Sequence, residues 1–301
     1  MLREEQSRGP DPARRNRRSG RKRTLMTFSV ALGAVAVIAA GLLVRANSGT
    51  VKSAAADKLA ASSKVTAATV SPPKSWKLTF NSGFSGTKLN TRVWATCYPW
   101  AKNGCTNFGN DGEEKEWYTA SQDKVTGGVL DLVAQREKTA GVNAKGAPEE
   151  YSCRSGMATT FPGFKFEYGY VQVIARLPFK TGLWPAFWLA ASNEKWPPEI
   201  DLMEHWAFEA NARVYLHPLS GIRQGGEVST PGLSGSGWHS FTLYWTKTRI
   251  TWYYDGHQLM TTTTGIPKQS MYFIANLASY DDTAGTCSGT LQIKSVKVWQ
   301  P

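Results

Sequence analysis

The stretch EIDLME at residues 199–204 sets three carboxylates among large aliphatic side chains. It follows the aromatic run WPAFWL at 184–189 and the run WPP at 196–198, a pattern that predicts a strand of about five or six residues. Because side chains alternate along a strand, Glu199 and Asp201 are expected on one face and Glu204 on the other. A β-bulge at Leu202 or Met203 would return Glu204 to the face of the other two acids. The acid cluster therefore depends on a bulge.

Three acids on one face repel one another, and this raises the pKa of at least one of them, as a general acid requires. Two carboxyl groups about 5 Å apart suit retaining glycoside hydrolysis, in which one acid attacks the anomeric carbon and the other protonates the leaving oxygen. Asp201 lies between the two glutamates and is placed to hydrogen-bond one of them. The alternative is a solvated acidic strand edge without chemistry.

The rest of the C-terminal part consists of short runs that alternate apolar and polar residues and are separated by Gly, Asn, Asp and Pro. No stretch there shows a helical period, and Tyr254-Asp255-Gly256-His257 predicts a two-residue hairpin. Many short strands joined by hairpins predict an all-β sandwich or barrel. The runs are Trp76–Phe80, Gly128–Ala134, Gly169–Arg176, Phe241–Trp245, Ile250–Tyr254, Met271–Ile274 and Thr290–Trp299.

The acid motif and the aromatic run before it resemble glycoside hydrolase family 16, whose bulged active-site strand reads Glu-x-Asp-x-x-Glu. The resemblance extends over residues 76–301. It implies a jelly-roll sandwich of two curved antiparallel sheets, with Glu199 as nucleophile, Asp201 as its assisting acid and Glu204 as acid/base. Weaker supporting matches are Glu167–Tyr170, Ala175–Pro178, Trp238–Phe241, Asp255-Gly256 and Val296–Gln300.

Aromatic residues near the acids are candidates for sugar binding, because the apolar faces of sugar rings stack on indole. Trp184 matches a cleft tryptophan of the family, and Trp188 and Trp206 are close to the acids in sequence. Core packing is the alternative for each of these tryptophans. The resemblance further implies sugar contacts from Asn110 and Trp117, and a place for His217 near the leaving-group side, where a buried histidine is the alternative.

No metal and no cofactor are expected. The four histidines are scattered and form no zinc-type pair. Many members of the family bind a structural calcium, but the matching positions here are Asn81-Ser82-Gly83 and Lys294, which lack the carboxylate ligands that calcium prefers. The ammonium group of Lys294 is expected to fill part of that gap.

The four cysteines all lie in the C-terminal domain, and an even number favours disulfides in an exported protein. Cys97 with Cys105 would close a short loop and leave Cys153 with Cys287, although other pairings remain open.

The formal charge of +12 is concentrated before residue 76. Residues 1–24 carry nine Arg or Lys against three acids, residues 45–75 five against one, and residues 76–301 retain a charge of +2. A nucleic-acid partner is therefore not expected. Residues 25–44 contain no charged residue and are long enough for one membrane-spanning helix, with the basic tail inside and the domain outside.

The sequence thus predicts a cytoplasmic tail (1–24), a transmembrane anchor (25–44), a flexible linker (45–75) and a catalytic domain (76–301). If the apolar run is instead a cleaved signal segment, the domain is secreted. The expected partner is a polysaccharide, a β-glucan with 1,3 or mixed 1,3/1,4 linkages, and membrane contact is expected only through an uncleaved residue range 25–44. Transglycosylation on the same site and a lectin-like glycan-binding module are the alternatives.

Overall fold

The structure is a computed structural model that describes residues 70–101, 105, 113–143, 145–206, 209–281, 283 and 285–301. The tail, the hydrophobic helix and the linker up to residue 69, all predicted above, lie outside these residues. In the described part of the chain, no helix has the length and apolar character needed to cross a membrane.

The described residues form sixteen strands and one short 3₁₀ turn at Ala120–Gln122. The seven runs predicted from sequence alternation each fall on a strand, and only Trp76 and Gly128 lie one residue before theirs. The strands are β1 Lys77–Ser82, β2 Glu116–Tyr118, β3 Asp123–Thr126, β4 Val129–Val142, β5 Pro148–Ser155, β6 Met157–Thr159, β7 Gly169–Arg176, β8 Leu183–Ala191, β9 Glu199–Glu204, β10 Ala212–His217, β11 Gln224–Val228, β12 His239–Trp245, β13 Ile250–Tyr254, β14 His257–Thr262, β15 Met271–Ser279 and β16 Ser288–Gln300.

Two sheets contain all of these strands. One has ten strands in the order β14-β13-β12-β7-β16-β4-β5-β2, with β1 added on β16 and β3 on β4. The other has six strands in the order β11-β10-β9-β8-β15-β6. The pairs are antiparallel except β2 with β5, which is parallel. The predicted all-β sandwich is confirmed.

The core lies between the sheets, and regular strands such as β7 contribute every second side chain to it. Val171 and Val173 of β7 and Leu189 of β8 are fully buried in it, as is Ile200 of the acid-bearing strand. Burying a side chain of this size contributes about 1.5–3 kcal/mol. This packing fixes which face of β9 points away from the core.

The predicted hairpin joins β13 to β14. Asp255 and Gly256 have φ angles of 47° and 82°, and Tyr254 pairs with His257 across the turn. Two positive φ angles are what a type I′ turn requires, and its twist matches that of the strands.

Two disulfides are present, Cys97–Cys105 and Cys153–Cys287, with Cα–Cα distances of 4.7 and 5.8 Å. The pairing that the sequence favoured is therefore confirmed.

The chain enters the domain on the outer face of the ten-stranded sheet. Tyr170 and Tyr244 lie on this face, since their neighbours along β7 and β12 point into the core. Tyr170 Oη donates to the carbonyl oxygen of Val70 over 2.7 Å, and the Trp76 ring stacks on Tyr244 with centroids 5.3 Å apart.

Candidate active site

Strand β9 carries the predicted bulge. Against β8, Met203 pairs with Phe187 and Asp201 pairs with Trp188, so Leu202 is an extra residue without a partner of its own. A bulge of this kind shifts the alternation of side chains by one position.

The bulge places all three acids on one face. The residues of β8 that pair with Glu199, Asp201 and Glu204 are two positions apart from one another, so they lie on one face. The same holds for their partners on β10. Ile200, Leu202 and Met203 instead point into the core. The acids therefore share the outer face of the six-stranded sheet. Their partners on β8 are Ala190, Trp188 and Ala186, and their partners on β10 are His217, Tyr215 and Arg213.

The facing sheet holds this bulge through one hydrogen bond. Trp252 of β13 is fully buried, and its Nε1 donates to the backbone carbonyl oxygen of Asp201 over 2.8 Å. Bulges disrupt the local ladder, and a buried backbone carbonyl without a partner is costly. The indole therefore satisfies a carbonyl directly beside the extra residue.

Glu199 is held from two sides. Trp196 Nε1 donates to its Oε2 over 3.1 Å, and His217 Nε2 lies 3.4 Å from its Oε1. Burial raises the pKa of Glu199 well above its ordinary value, and the neighbouring Asp201 raises it further. The Trp196 and His217 contacts oppose this rise because they favour the ionised carboxylate.

Asp201 is the most deeply buried of the three acids, with 2% of its surface exposed. Burial is the main cause that raises its pKa well above the ordinary value, and the charge of Glu204 adds to it. A hydrogen bond with Glu199 works in the opposite direction. The carboxyl groups of Asp201 and Glu199 are therefore close enough to share one proton.

Glu204 lies at the end of the strand beside positive groups. Burial raises the pKa of Glu204 to about 7, while His217, Trp184, Arg213 and, more weakly, Arg223 pull it down. A carboxyl group with this pKa is protonated in mildly acidic solution and can both give and accept a proton near neutrality.

The Arg213 guanidinium is itself fixed. Its Nε donates to Glu209 over 3.0 Å, with a second short contact between the same side chains. Arg223 lies over the Tyr215 ring, with its Cζ atom 4.6 Å from the ring centroid. Sequence reasoning missed these residues, although Arg213, Tyr215 and His217 alternate with apolar residues in the run ARVYLH, which is the pattern of a half-buried strand.

Trp184 and Trp206 lie together beyond Glu204. Their rings stack with centroids 4.7 Å apart and an interplanar angle of 16°, and Trp206 also contacts Tyr280 at 4.9 Å. Tyr280 is anchored because its Oη accepts from the backbone N–H of Gly182 over 2.9 Å. The three rings form an aromatic surface next to Glu204.

Trp188 has a structural role that the sequence did not reveal. It is 6% exposed, and its Nε1 donates to Asn276 over 2.8 Å. Asn276 donates in turn to Tyr118 Oη over 3.1 Å, and Tyr118 donates to Glu114 over 3.1 Å. Each donor in this series of hydrogen bonds points toward the Glu114 carboxylate. The Trp188 indole beside Asp201 therefore has a fixed orientation.

The remaining sequence candidates divide into three cases. His217 is brought directly to Glu199 and Asp201. Trp117 is 7% exposed on β2 of the other sheet and packs on Tyr151 with centroids 5.2 Å apart, so its role in sugar binding stays a prediction. Asn110 lies outside the described residues.

Lys294, which the family resemblance aligned with a calcium-ligand position, lies near a second cation. Its ammonium lies 5.9 Å from the ring centroid of Trp238, which the Arg176 guanidinium also covers at 5.3 Å. Both cations therefore lie within cation–π distance of the same indole ring.

The family model for glycosyl hydrolases family 16 matches residues 113–294, more than half of the chain. The sequence is 33% identical over 216 residues to endo-1,3-1,4-beta-glycanase EglC of Rhizobium meliloti and 32% identical over 216 residues to ExsH of the same organism. Each comparison covers 66% of this chain but only 45% of the relative, so the chain spans about half the length of these proteins.

The fold is similar to that of an endo-beta-1,3-glucanase from Pyrococcus furiosus. The TM-score is 0.62 at 25% sequence identity, over 75% of this chain and 94% of that one. The two-sheet sandwich therefore agrees with the jelly roll that the sequence predicted.

Proposed function

The chain belongs to glycoside hydrolase family 16, and from this premise we propose that it is a retaining endo-β-glycanase that hydrolyses β-1,3 or mixed β-1,3/1,4-glucan. The observation that carries the proposal is the bulge in β9, which puts Glu199, Asp201 and Glu204 on one face. The names of the Rhizobium meliloti relatives, endo-1,3-1,4-beta-glycanases, support the choice of substrate.

In the first step, a carboxylate oxygen of Glu199 bonds to the anomeric carbon as the glycosidic C–O bond breaks. The proton of Glu204 goes to the departing oxygen. The Trp196 N–H and His217 favour the ionised form of Glu199 before the attack, and a pKa of about 7 supplies the proton on Glu204. Asp201 stabilises the charge on Glu199 by sharing its proton.

In the second step, Glu204 takes a proton from water, whose oxygen bonds to the anomeric carbon. The ester bond to Glu199 breaks, and its carboxylate is restored. Two inversions at one carbon retain the β configuration. Both steps use the same proton site on Glu204, so a pKa near neutrality suits both directions of transfer.

The substrate contacts are also part of the proposal. The side chains opposite the two glutamates on β8 are the small Ala190 and Ala186, and a sugar ring would lie over the acids beside them. The stacked Trp184 and Trp206 offer an aromatic surface beside Glu204 for a second ring.

A panel of laminarin, lichenan, agarose and carrageenan tests the function. We expect new reducing ends from laminarin or lichenan. NMR should show that the β-anomer of the product is formed first. Binding of laminarin without new reducing ends at any pH would favour the lectin-like alternative. Longer products on adding oligosaccharide acceptors would identify a transglycosylase.

We further propose that the domain acts outside the cytoplasm, tethered by residues 25–44. The 20-residue uncharged run after a basic tail supports this, and so do the two disulfides. Protease added to intact cells is expected to remove the domain from a membrane-bound fraction, whereas a cleaved signal segment predicts activity in the medium.

A further inference from the structure

Three potential metal ligands from two adjacent strands meet at the candidate active site. The Nε2 atom of His217 and carboxylate oxygens of Glu199 and Asp201 all lie within 4.8 Å of one another, the one such group in the part of the chain that the structure describes. The histidines are scattered in the sequence, and the antiparallel register of β9 with β10 creates this proximity.

The two distances from His217 Nε2 to the carboxylate oxygens match those in a zinc site. A tetrahedral ion with bonds of about 2.0–2.2 Å keeps its ligand atoms about 3.3–3.6 Å apart. His217 Nε2 is 3.4 Å from Glu199 Oε1 and 3.5 Å from Asp201 Oδ2. The oxygens of Glu199 and Asp201 lie within 4.8 Å of each other, so all three groups can reach one ion.

One of the three ligands has an unused oxygen. Asp201 Oδ2 is buried and has no hydrogen-bond partner among the described residues, and the side chain is 3% exposed. Buried polar atoms normally have a partner, so an unpartnered carboxylate oxygen directed at an imidazole nitrogen is a ready ligand.

The group is accessible from solvent on one side. The side chains of Glu199 and His217 are 12% and 20% exposed, which leaves a path for an ion and an open fourth position. One imidazole and two carboxylates with one open position is the ligand number of a catalytic zinc site, and nitrogen and oxygen donors both suit this ion.

We propose that Glu199, Asp201 and His217 form a zinc-binding site that inhibits the enzyme. The inference rests on the proposed function, because zinc bound to Glu199 occupies the oxygen that attacks the anomeric carbon. Zinc and glucan therefore compete for the same group. Calcium and magnesium bind much more weakly, because they take six or more ligands and prefer oxygen.

Calorimetry with zinc chloride and the full chain tests the site without any need for turnover. We expect one zinc ion per chain for the wild type and an affinity at least tenfold lower for His217→Gln. Asp201→Asn serves as a second variant that removes a ligand from the other strand. The matched control is His257→Gln, since His257 is exposed on β14 and should leave both zinc affinity and activity unchanged.

Kinetics provide the second measurement. Zinc is expected to raise the apparent KM for lichenan or laminarin and leave kcat unchanged, and EDTA should restore the original rate. Equal zinc affinity in the wild type and His217→Gln, or no uptake by the wild type at millimolar zinc, overturns the site. Hydrolysis without zinc binding would contradict the zinc site but not the proposed function. Zinc binding without hydrolysis would contradict the proposed function but not the zinc site.

Discussion

Trp252, on the ten-stranded sheet, donates its indole N–H to the backbone carbonyl of Asp201, on the six-stranded sheet, over 2.8 Å. The bond crosses the core and ends next to the extra residue of the bulge. It links the packing of the two sheets to the direction of the Glu204 side chain, because the bulge decides on which face that side chain lies.

Trp252→Phe should therefore reduce both stability and catalysis. The unpartnered carbonyl costs about 1–3 kcal/mol of unfolding free energy. We also expect a lower kcat, since Glu204 loses its fixed direction. Trp245→Phe is the matched control: Trp245 is equally buried and donates to the Pro267 carbonyl over 3.3 Å, away from the acids. Urea unfolding and glucan hydrolysis measure the two effects, and an equal fall of kcat in both variants would contradict the role of the bond.

Glu199→Gln and Glu204→Gln should differ in their response to the leaving group. Glu199→Gln removes the nucleophile and should abolish nearly all turnover on any substrate, while substrate binding is retained. Glu204→Gln should slow glucan hydrolysis by about 10²–10⁴-fold but slow aryl glycosides far less, because these need little proton donation.

Glu227→Gln, on the exposed edge of β11, is the control for these variants and should behave as the wild type. Azide added to Glu204→Ala should give a β-glycosyl azide. An inverted azide product would exchange the roles of the two glutamates.

The pH profile of kcat/KM should fall on the alkaline side near pH 7. Glu204 must be protonated to act as acid, burial raises its pKa to about 7, and the proton is lost as the pH rises through that value. Arg213 lowers this pKa, so Arg213→Met should move the alkaline limb to higher pH. Arg249→Met, at an exposed turn, should leave the limb in place; a limb that stays fixed in Arg213→Met as well would count against the assignment of Glu204.

Asp123 is expected to make stability fall as the pH rises. Burial raises the pKa of its carboxyl well above the ordinary value, and its Oδ1 packs so closely on Gly156 that a Cβ there would collide with it. A raised pKa means that the folded protein holds the proton more tightly than the unfolded chain does. The stabilisation is complete below the ordinary pKa of about 4 and is lost as the pH rises through the folded-state value.

Asp123→Asn should remove this dependence. The Tm of the variant minus that of the wild type should therefore grow between pH 5 and pH 8 in thermal unfolding. The other buried acids contribute equally to both proteins, so their effect cancels in the difference in Tm. A constant difference in Tm across this range would contradict an ionisation of Asp123.

Local patterns were sufficient to predict about half of the sixteen strands, including β9, and the bulge in β9. The alternation of apolar side chains depends only on neighbouring residues, and the spacing of Glu199, Asp201 and Glu204 makes sense on one face only with an extra residue. The hairpin at Asp255-Gly256 was likewise encoded in two adjacent residues.

Contacts between distant segments were not predictable in the same way. His217 meets Glu199 because of the register between β9 and β10, and Trp188 depends on Asn276, which is 88 positions away in the chain. The Trp252 bond involves a backbone carbonyl, which has no signature in the side-chain pattern. Such contacts arise from the three-dimensional arrangement of the sheets, so a single sequence read locally does not contain them.

Val70 meets the domain at Tyr170, on the back of the sandwich, whereas Glu199 and its companions open from the front. The Val70 contact and the three acids are thus separated by both layers of the protein, which pack about 10 Å apart. A glycan bound over the three acids would therefore lie on the opposite layer from the contact between Val70 and Tyr170.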